Sequence, residues 1–458
     1  MPSRLNVTRP DSGRALCRAS TPMTAPRRTA SPREAVTSHD GSTLPDPLSA
    51  LSPAYPERRD MLPADEPRPV DLGSDADRFR SDPYGLFAEL YKDGPAHFVR
   101  LPNGETSWLI VGHSEVYRAL NDPSLSKSRP RAEGSPGPRG NMLMTDPPDH
   151  TRLRRLVSRQ FTARRVERLR PEVRRATDEL LSRVEHRGRM DVIQDFALPL
   201  SLDVITGLLG VPFLDRDALR AWTDDIIIPK GPERSRQVYQ EMTAYIDRLI
   251  EAKRRQLGED LLSSLIRAAD DENGRLDHQE LHSTFFLILV AGHETTTNLI
   301  ANGVYALLTH PDQLKLLRAD WDLIGRTVEE VLRWEGSLTF ATSRYPTSPY
   351  RVGDVEIPAD GSRILLALGS AGRNTAVDAD ADRFVIDRPG RTHLAFGHGI
   401  HHCLGAPLGL LEGGTALQSL LTRFPDLTLD TDTVEWRASM VSRSLERLPV
   451  RWSPPSAP

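Results

Sequence analysis

The stretch "LAFGHGIHHCLGAPLG", Leu394 to Gly409, constrains this chain more than any other. It sets Cys403, one of only two cysteines, among His398, His401, His402 and glycines at 397, 399, 405 and 409. A thiolate in such a setting can be a nucleophile, a zinc ligand or an axial ligand of iron, and its surroundings choose among them. A nucleophile needs a helix N-terminus and a paired imidazole. Zinc needs ligands in spaced pairs; the three histidines offer themselves, but no second Cys/His pair follows downstream. The glycines at 397, 399 and 405 suit a further demand better: a backbone that bends tightly beneath something flat and close, with φ angles and contacts that other residues forbid.

With 458 residues the chain can bury a large core, and one large domain fits it as well as several smaller ones. A formal net charge of −4 and a pI near 6.4 give no global sign of a nucleic-acid partner. Cys17 and Cys403 alone cannot make a disulfide framework, so Cys403 is expected to be a reduced thiol in a cytoplasmic protein. No run reaches the roughly 18 apolar residues of a membrane helix, and "FFLILVAG" is too short, so a soluble protein without a membrane partner is expected. Residues 1–65 are rich in Pro, Arg, Ser and Thr with no apolar period. They read as a disordered leader, with an Arg/Ser-rich targeting peptide as the alternative; residues 66–458 read as the single domain.

Apolar residues at three- and four-residue steps predict helices over "DPYGLFAELYKDG", "DHTRLRRLVSRQFTARRVERLRPEV", "MDVIQDFALPLSLDVITGLLG", "SRQVYQEMTAYIDRLIEAKRRQLG", about 277–309 and "RTVEEVLRW". Strands are expected in "HFVRLPNGETSWLIVG", about an Asn103-Gly104 turn, and later in "YRVGDVEIP" and "SRILLALG". The fold class is therefore mainly α with minor β. Within the long helix, "AGHETTTN" places small Ala291 and Gly292 beside the acid–alcohol pair Glu294-Thr295. The zinc-protease pattern His-Glu-x-x-His fails there because residue 297 is Thr. Glu330 and Arg333 share a helix face, as do His150 and Arg154. Residues 152–175 carry ten arginines against two glutamates, so most of them must be exposed.

Phe396-Gly397-x-Gly399-x-x-x-Cys403-x-Gly405 resembles the haem-binding loop of the cytochrome P450 superfamily. The likeness extends over about residues 70 to 453. "NMLMTDPPDHTRLRRLV", "LVAGHETTTNLIANG" and "HLAFGHGIHHCLGAPL" are similar to soluble actinobacterial members, above all those that hydroxylate macrolides and other polyketides. The resemblance implies the P450 fold, a large helical domain with a small β-rich region and a long central helix over haem b. It makes Cys403 the axial iron ligand and lays Phe396, Gly397 and Gly405 beneath the porphyrin. Ala291 and Gly292 would form the oxygen-binding groove, where Thr295 hydrogen-bonds dioxygen and Glu294 helps deliver protons. His150, Arg154, Arg344 and His401 match the propionate partners. Glu330, Arg333 and Arg383 match a structural network behind the loop, and His393 reads as a core histidine.

The activity implied is that of a monomeric monooxygenase using O2 and electrons from NAD(P)H through a ferredoxin and its reductase, with the basic run docking the acidic donor. It would hydroxylate or epoxidise a bulky, mostly apolar secondary metabolite such as a macrolide, with a steroid, terpenoid or xenobiotic as the alternative. The loop Asn121–Thr145, with Lys127, Arg129, Arg131 and Arg139 against Asp122 and Glu133, would line the pocket as a mobile basic segment, and "TDDIIIPKG" would form an apolar lid. Two readings of other classes are a non-catalytic zinc protein and a haem sensor, the latter disfavoured by the acid–alcohol pair. Three departures from the family stand out: Gly409-Leu410 where Ala-Arg is usual, His402 where an apolar residue is common, and "SAGRN" in place of a usual Asn-Arg-Asp.

Overall fold

A computed structural model describes residues 68–454, apart from 129–139, 212–215, 228–229, 272–275, 374–378 and 391–392. The expected leader at 1–65 and Cys17 lie outside the described residues. So do Arg129, Arg131, Glu133 and Arg139 of the basic loop, and Ile228 and Pro229 of the expected lid.

Helices dominate, and the longest, His278–Thr309, runs through the main core. Its start is encoded locally as a capping box. The Asp277 carboxylate accepts the Glu280 N–H at 2.7 Å, and Glu280 accepts the Asp277 N–H at 3.1 Å. Beyond that turn the helix is apolar on most sides and its middle is buried, as expected for a helix with neighbours all round. Those neighbours include the Leu198–Leu209, Ile324–Trp334 and Ala406–Arg423 helices.

The expected strands form a sheet at one edge of the helical mass. Ala96–Arg100 pairs antiparallel with Thr106–Ile110, Phe98 opposite Trp108, around a turn in which Gly104 takes φ +85°. Val70–Asp71 and Ile364–Leu366 flank this hairpin, both in parallel. Tyr350–Val352 and Val355–Ile357 make a separate hairpin.

The stretch "MDVIQDFALPLSLDVITGLLG", expected to be helical throughout, opens instead as a strand. Arg189–Asp191 pairs with Pro449–Arg451. The Asp191 carboxylate then accepts the N–H groups of Ile193 and Gln194 and so starts a π-helical segment, Val192–Ala197, that continues into Leu198–Leu209. Val192–Leu209, with a mean hydropathy of 1.5, is long and apolar enough to cross a membrane by length and composition alone, while Gln194, Asp195, Ser201 and Asp203 interrupt its apolar residues. Phe196, Leu200, Ile205 and Leu209 of this span are fully enclosed in the main core.

Gly292 was expected to leave room beside the acid–alcohol pair, but its α-carbon is covered by Ile205. A Cβ there would come within 2.5 Å of Ile205 Cδ1, so the glycine serves close helix packing. Gly292→Val is expected to lower stability by about 2 kcal/mol through overpacking. Thermal unfolding checks this, and adding Ile205→Ala should recover part of the loss if the two side chains compete for one space.

Candidate active site

Gly397 and Gly399 carry the loop through left-handed conformations, with φ +67° and +73°. At 399 a side chain would also strike Asn121 Oδ1 at 2.8 Å and the Leu120 carbonyl at 3.0 Å. Gly405 differs from expectation: its φ of −81° is open to any residue, and a Cβ there would lie 3.9 Å from the Cys403 sulfur, an ordinary contact. The loop closes on itself through Cys403 N–H to the Phe396 carbonyl, 2.8 Å. The N–H groups of Gly405 and Ala406 hydrogen-bond the sulfur, and the Ala406–Arg423 helix begins at once, its positive end toward Cys403. The sulfur is accessible yet largely enclosed by protein, so it faces a concavity. Burial pushes the thiol pKa up, while the backbone bonds and Arg154 pull it down. Arg154 also ties the loop in place, donating to the His402 carbonyl at 2.7 Å.

Beside the loop lies a buried cluster of positive charge. Lys127 is fully buried, its ammonium donating to Thr342 Oγ1 and, at 3.2 Å, to the Ser343 carbonyl. Arg344 is also buried and donates to the Thr342 carbonyl at 2.7 Å. The His150 and His401 rings lie 4.3 Å apart. Neither nitrogen of His150 completes a good hydrogen bond, although the Ile400 backbone is near enough to act on its charge, and His401 Nε2 has no partner. Burial, Lys127, Arg344, His150 and Arg154 together push the His401 pKa down to about 2. Asp146 is the carboxylate that acts on Lys127, His150 and Arg344, and it is engaged by Ser126 Oγ and the Lys127 N–H. Burial and the neighbouring Arg344 push the Lys127 pKa well down, and three basic side chains and two imidazoles with so little counter-charge suit a ligand bearing carboxylates, such as the two propionates of a haem. Lys127, expected on a mobile basic loop, is therefore part of this cluster. Nothing in its local sequence marks it as buried.

On the central helix Ala291 is exposed and Thr295 half-buried, in a stretch where most neighbours are fully buried. The Thr295 hydroxyl donates to the Ala291 carbonyl at 2.9 Å, while the Thr295 carbonyl accepts from Ser337 Oγ at 2.6 Å. Glu294 is buried and turned toward the 436–445 segment. Its Oε1 accepts from Asn298 Nδ2 and Ser442 Oγ, each at 3.4 Å, and lies 3.7 Å from Arg437 Nη1. Burial raises the Glu294 pKa, partly offset by Arg437.

Glu330 and Arg333 are an enclosed pair rather than a surface one, at 2.7 and 2.8 Å. Arg333 also binds the carbonyls of Gly372, Ala381 and Arg383, at 2.7, 2.5 and 2.8 Å. The expected third member needs correction. The Arg383 side chain is 70% exposed and pairs with Asp380, so Arg383 contributes only its carbonyl. The side chain that reaches Glu330 is that of buried Arg388, at 3.5 Å, and Arg388 also binds the Asp380 and Arg383 carbonyls. Two arginines five residues apart in "DRFVIDR" offered no means of choosing between them. His393 is enclosed, with Nε2 2.5 Å from Glu329.

The histidines of the loop do not converge on a metal. His398 lies against Tyr117 at 4.3 Å and His401 against His150. Among the described residues no three His, Cys, Asp or Glu side chains could hold an ion together, so the zinc alternative fails.

A sulfur at a helix start, a cationic cluster beside it and an acid–alcohol pair on a long core helix are the features that a thiolate-ligated haem would call for. Comparison agrees: the family described as Cytochrome P450 matches residues 222–325 and 317–440. The cytochrome P450 monooxygenase PikC of Streptomyces venezuelae is 47% identical over 84% of this chain and 95% of its own length. The 6-deoxyerythronolide B hydroxylase of Saccharopolyspora erythraea is 42% identical over 82% of this chain and 98% of its own. The tirandamycin C-bound P450 monooxygenase TamI superposes with a TM-score of 0.78 at 40% identity, over 84% of this chain and 100% of that one. The chain belongs to the cytochrome P450 superfamily, whose cofactor is haem and whose oxidant is dioxygen; it is a monooxygenase related to macrolide- and polyketide-tailoring hydroxylases.

Arg388→Ala is expected to cost about 3 kcal/mol, because it strips a buried cation from Glu330 and removes one of the two donors that each of the Asp380 and Arg383 carbonyls has. Arg383→Ala should leave stability unchanged. Urea unfolding of the two variants side by side checks the assignment.

Proposed function

We propose that the chain hydroxylates or epoxidises a bulky, mostly apolar secondary metabolite such as a macrolide or other polyketide. The observation that carries this is Cys403, held at a helix start beside a buried cationic cluster, in a chain related to hydroxylases of that substrate class. When bound, the haem supplies reductive activation of dioxygen and transfer of one oxygen atom to substrate. Cys403 would be the iron ligand, and its hydrogen bonds from Gly405 and Ala406 moderate the charge it donates. Phe396 and Gly397 would help to hold the haem. Lys127, His150, Arg154, Arg344 and His401 would hold the propionates.

Ala291 and Thr295 would line the oxygen-binding groove. The Thr295 hydroxyl can turn from the Ala291 carbonyl to hydrogen-bond dioxygen, and Glu294 would resupply its proton. Ser337 fixes the Thr295 backbone during that exchange. Glu330, Arg333 and Arg388 support the loop from behind.

Electrons would come from NAD(P)H through a ferredoxin and its reductase. The Asp149–Ser158 helix that carries Arg154 also borders a groove of about 570 Å³ lined by Arg155, Arg159, Arg165 and Arg267, which suits an acidic donor. Residues 66–458 would act as one catalytic domain, a soluble cytoplasmic monomer.

The reduced protein with carbon monoxide should show the red-shifted Soret band of thiolate-ligated haem, and Cys403→Ala should lose both band and turnover. A histidine-type band in the parent protein would overturn the assignment of Cys403. Thr295→Ala should retain the band but divert reducing equivalents to peroxide or water, lowering product formed per NAD(P)H about tenfold.

A further inference from the structure

We propose that Arg437 is a positioning residue that links the lid-side helix Arg216–Ile227 to Glu294, its guanidinium standing between Asp224 on that helix and Glu294 on the central helix. This rests on the reading of Glu294 as the proton-supplying acid. Arg437 Nη1 lies 3.7 Å from Glu294 Oε1 and Nη2 lies 3.6 Å from Asp224 Oδ1, while its Nε is buried without a partner.

The two ends of this bridge are held differently. The segment that carries Arg437 is fastened to the central helix. Asn298 Nδ2 donates to Ser442 Oγ at 2.9 Å, and Asn302 Nδ2 donates to the Arg443 carbonyl at 3.1 Å. Arg437 N–H bonds the Ser444 carbonyl at 2.9 Å, and Arg443 stacks 3.4 Å over Trp436 while binding Glu335 at 2.7 Å. Asp224 instead rides on a helix packed chiefly against Pro232–Arg255. Asp225 with Arg234, at 2.6 Å, and Trp222 with Glu241, at 2.7 Å, join those two helices. The Asp224 side chain is 45% exposed, so its contact is the one that parts if the helix pair swings outward.

The consequence is electrostatic. With Asp224 in place, the charge of Arg437 is divided between two carboxylates, and Glu294, enclosed and facing little free cation, holds a proton more readily. With Asp224 withdrawn, Arg437 acts on Glu294 alone and favours its ionised form. The other titratable groups nearby add little charge at neutral pH. Burial holds His293, beside Glu294, at a pKa of about 4, and pushes the pKa of Glu412, on the packed Ala406–Arg423 helix, well up. Glu329 and Glu330 on the Ile324–Trp334 helix turn to His393 and to Arg333. Asp203 lies on the packed Leu198–Leu209 helix with an interaction of its own. An acid ready to donate only while the lid-side helix is seated would keep proton delivery in step with a closed pocket.

Infrared titration of the holoprotein tests this, with the Glu294 carboxyl band assigned by its loss in Glu294→Gln. Asp224→Asn is expected to lower the midpoint of that band and Arg437→Gln to raise it, each by about one pH unit. Arg437→Lys, which keeps the charge, should return the midpoint toward the parent value. Midpoints that stay put, or move in the same direction in both variants, would overturn the bridge even if Glu294→Gln is poorly coupled. Unchanged product per NAD(P)H in Glu294→Gln would instead overturn the role of Glu294 as the acid, whatever the midpoints do.

Discussion

The closeness of the central helix to the helix that follows the cysteine is the constraint on which the site depends. Gly303 and Gly413 lie at that contact. A Cβ on the first would press within 3.0 Å of Leu417, and on the second within 2.9 Å of Leu299. Leucine side chains of each helix therefore pack directly on the glycine of the other within a shared apolar core, and the spacing is not adjustable without a void or a clash. One helix carries Ala291 and Thr295, and the other begins where Cys403 ends. The separation of alcohol from sulfur is thus set by core packing, which is a stiffer ruler than any loop.

Polar groups then fasten irregular segments onto that frame. The Glu330 carboxylate accepts from Arg333, Arg388 and the Val385 N–H, and the two arginines collect carbonyls from 372 to 383. The carbonyls of Gly372, Asp380, Ala381 and Arg383 are thus bound by two side chains on either side of one carboxylate. Glu335 repeats the device nearby, accepting from Arg443 and from Tyr84, whose hydroxyl is 2.7 Å away. Both networks are enclosed, so removing one partner leaves a charge that water cannot reach, and the cost greatly exceeds that of a surface ion pair.

What was legible in the sequence follows from how local the determining physics is. The central helix could be bounded to within a residue because an acid at 277, a second at 280 and an apolar run are all neighbours in the chain. The Asn103-Gly104 hairpin was legible for the same reason. Cys403 with Gly397 and Gly399 formed a compact pattern whose geometry needs those residue types. The failures were of another kind. Lys127 is buried because strand Leu125–Ser126 pairs with Tyr345–Pro346, a contact about 220 positions away in sequence. Arg388, rather than Arg383, meets Glu330 because of the path of the backbone between them. The opening of "MDVIQDF" became a strand because the C-terminal Pro449–Arg451 needed a partner. In each case tertiary pairing overrode a local pattern that was ambiguous.

The distribution of charge around the site makes one more point about its chemistry. Basic side chains gather at Lys127, Arg154 and Arg344, beside the imidazoles of His150 and His401, while the sulfur receives only backbone dipoles and the single cation of Arg154. The acid that would feed protons lies on the central helix, beside Arg437, where its own burial works against ionisation. Groups that must bind anions and groups that must hand on protons are thereby kept apart. Were Glu294 set among the cations of the first cluster, it would be held ionised and could not donate near neutral pH. Placing it against one arginine whose charge is already shared with Asp224 leaves its proton affinity open to small movements of a neighbouring helix.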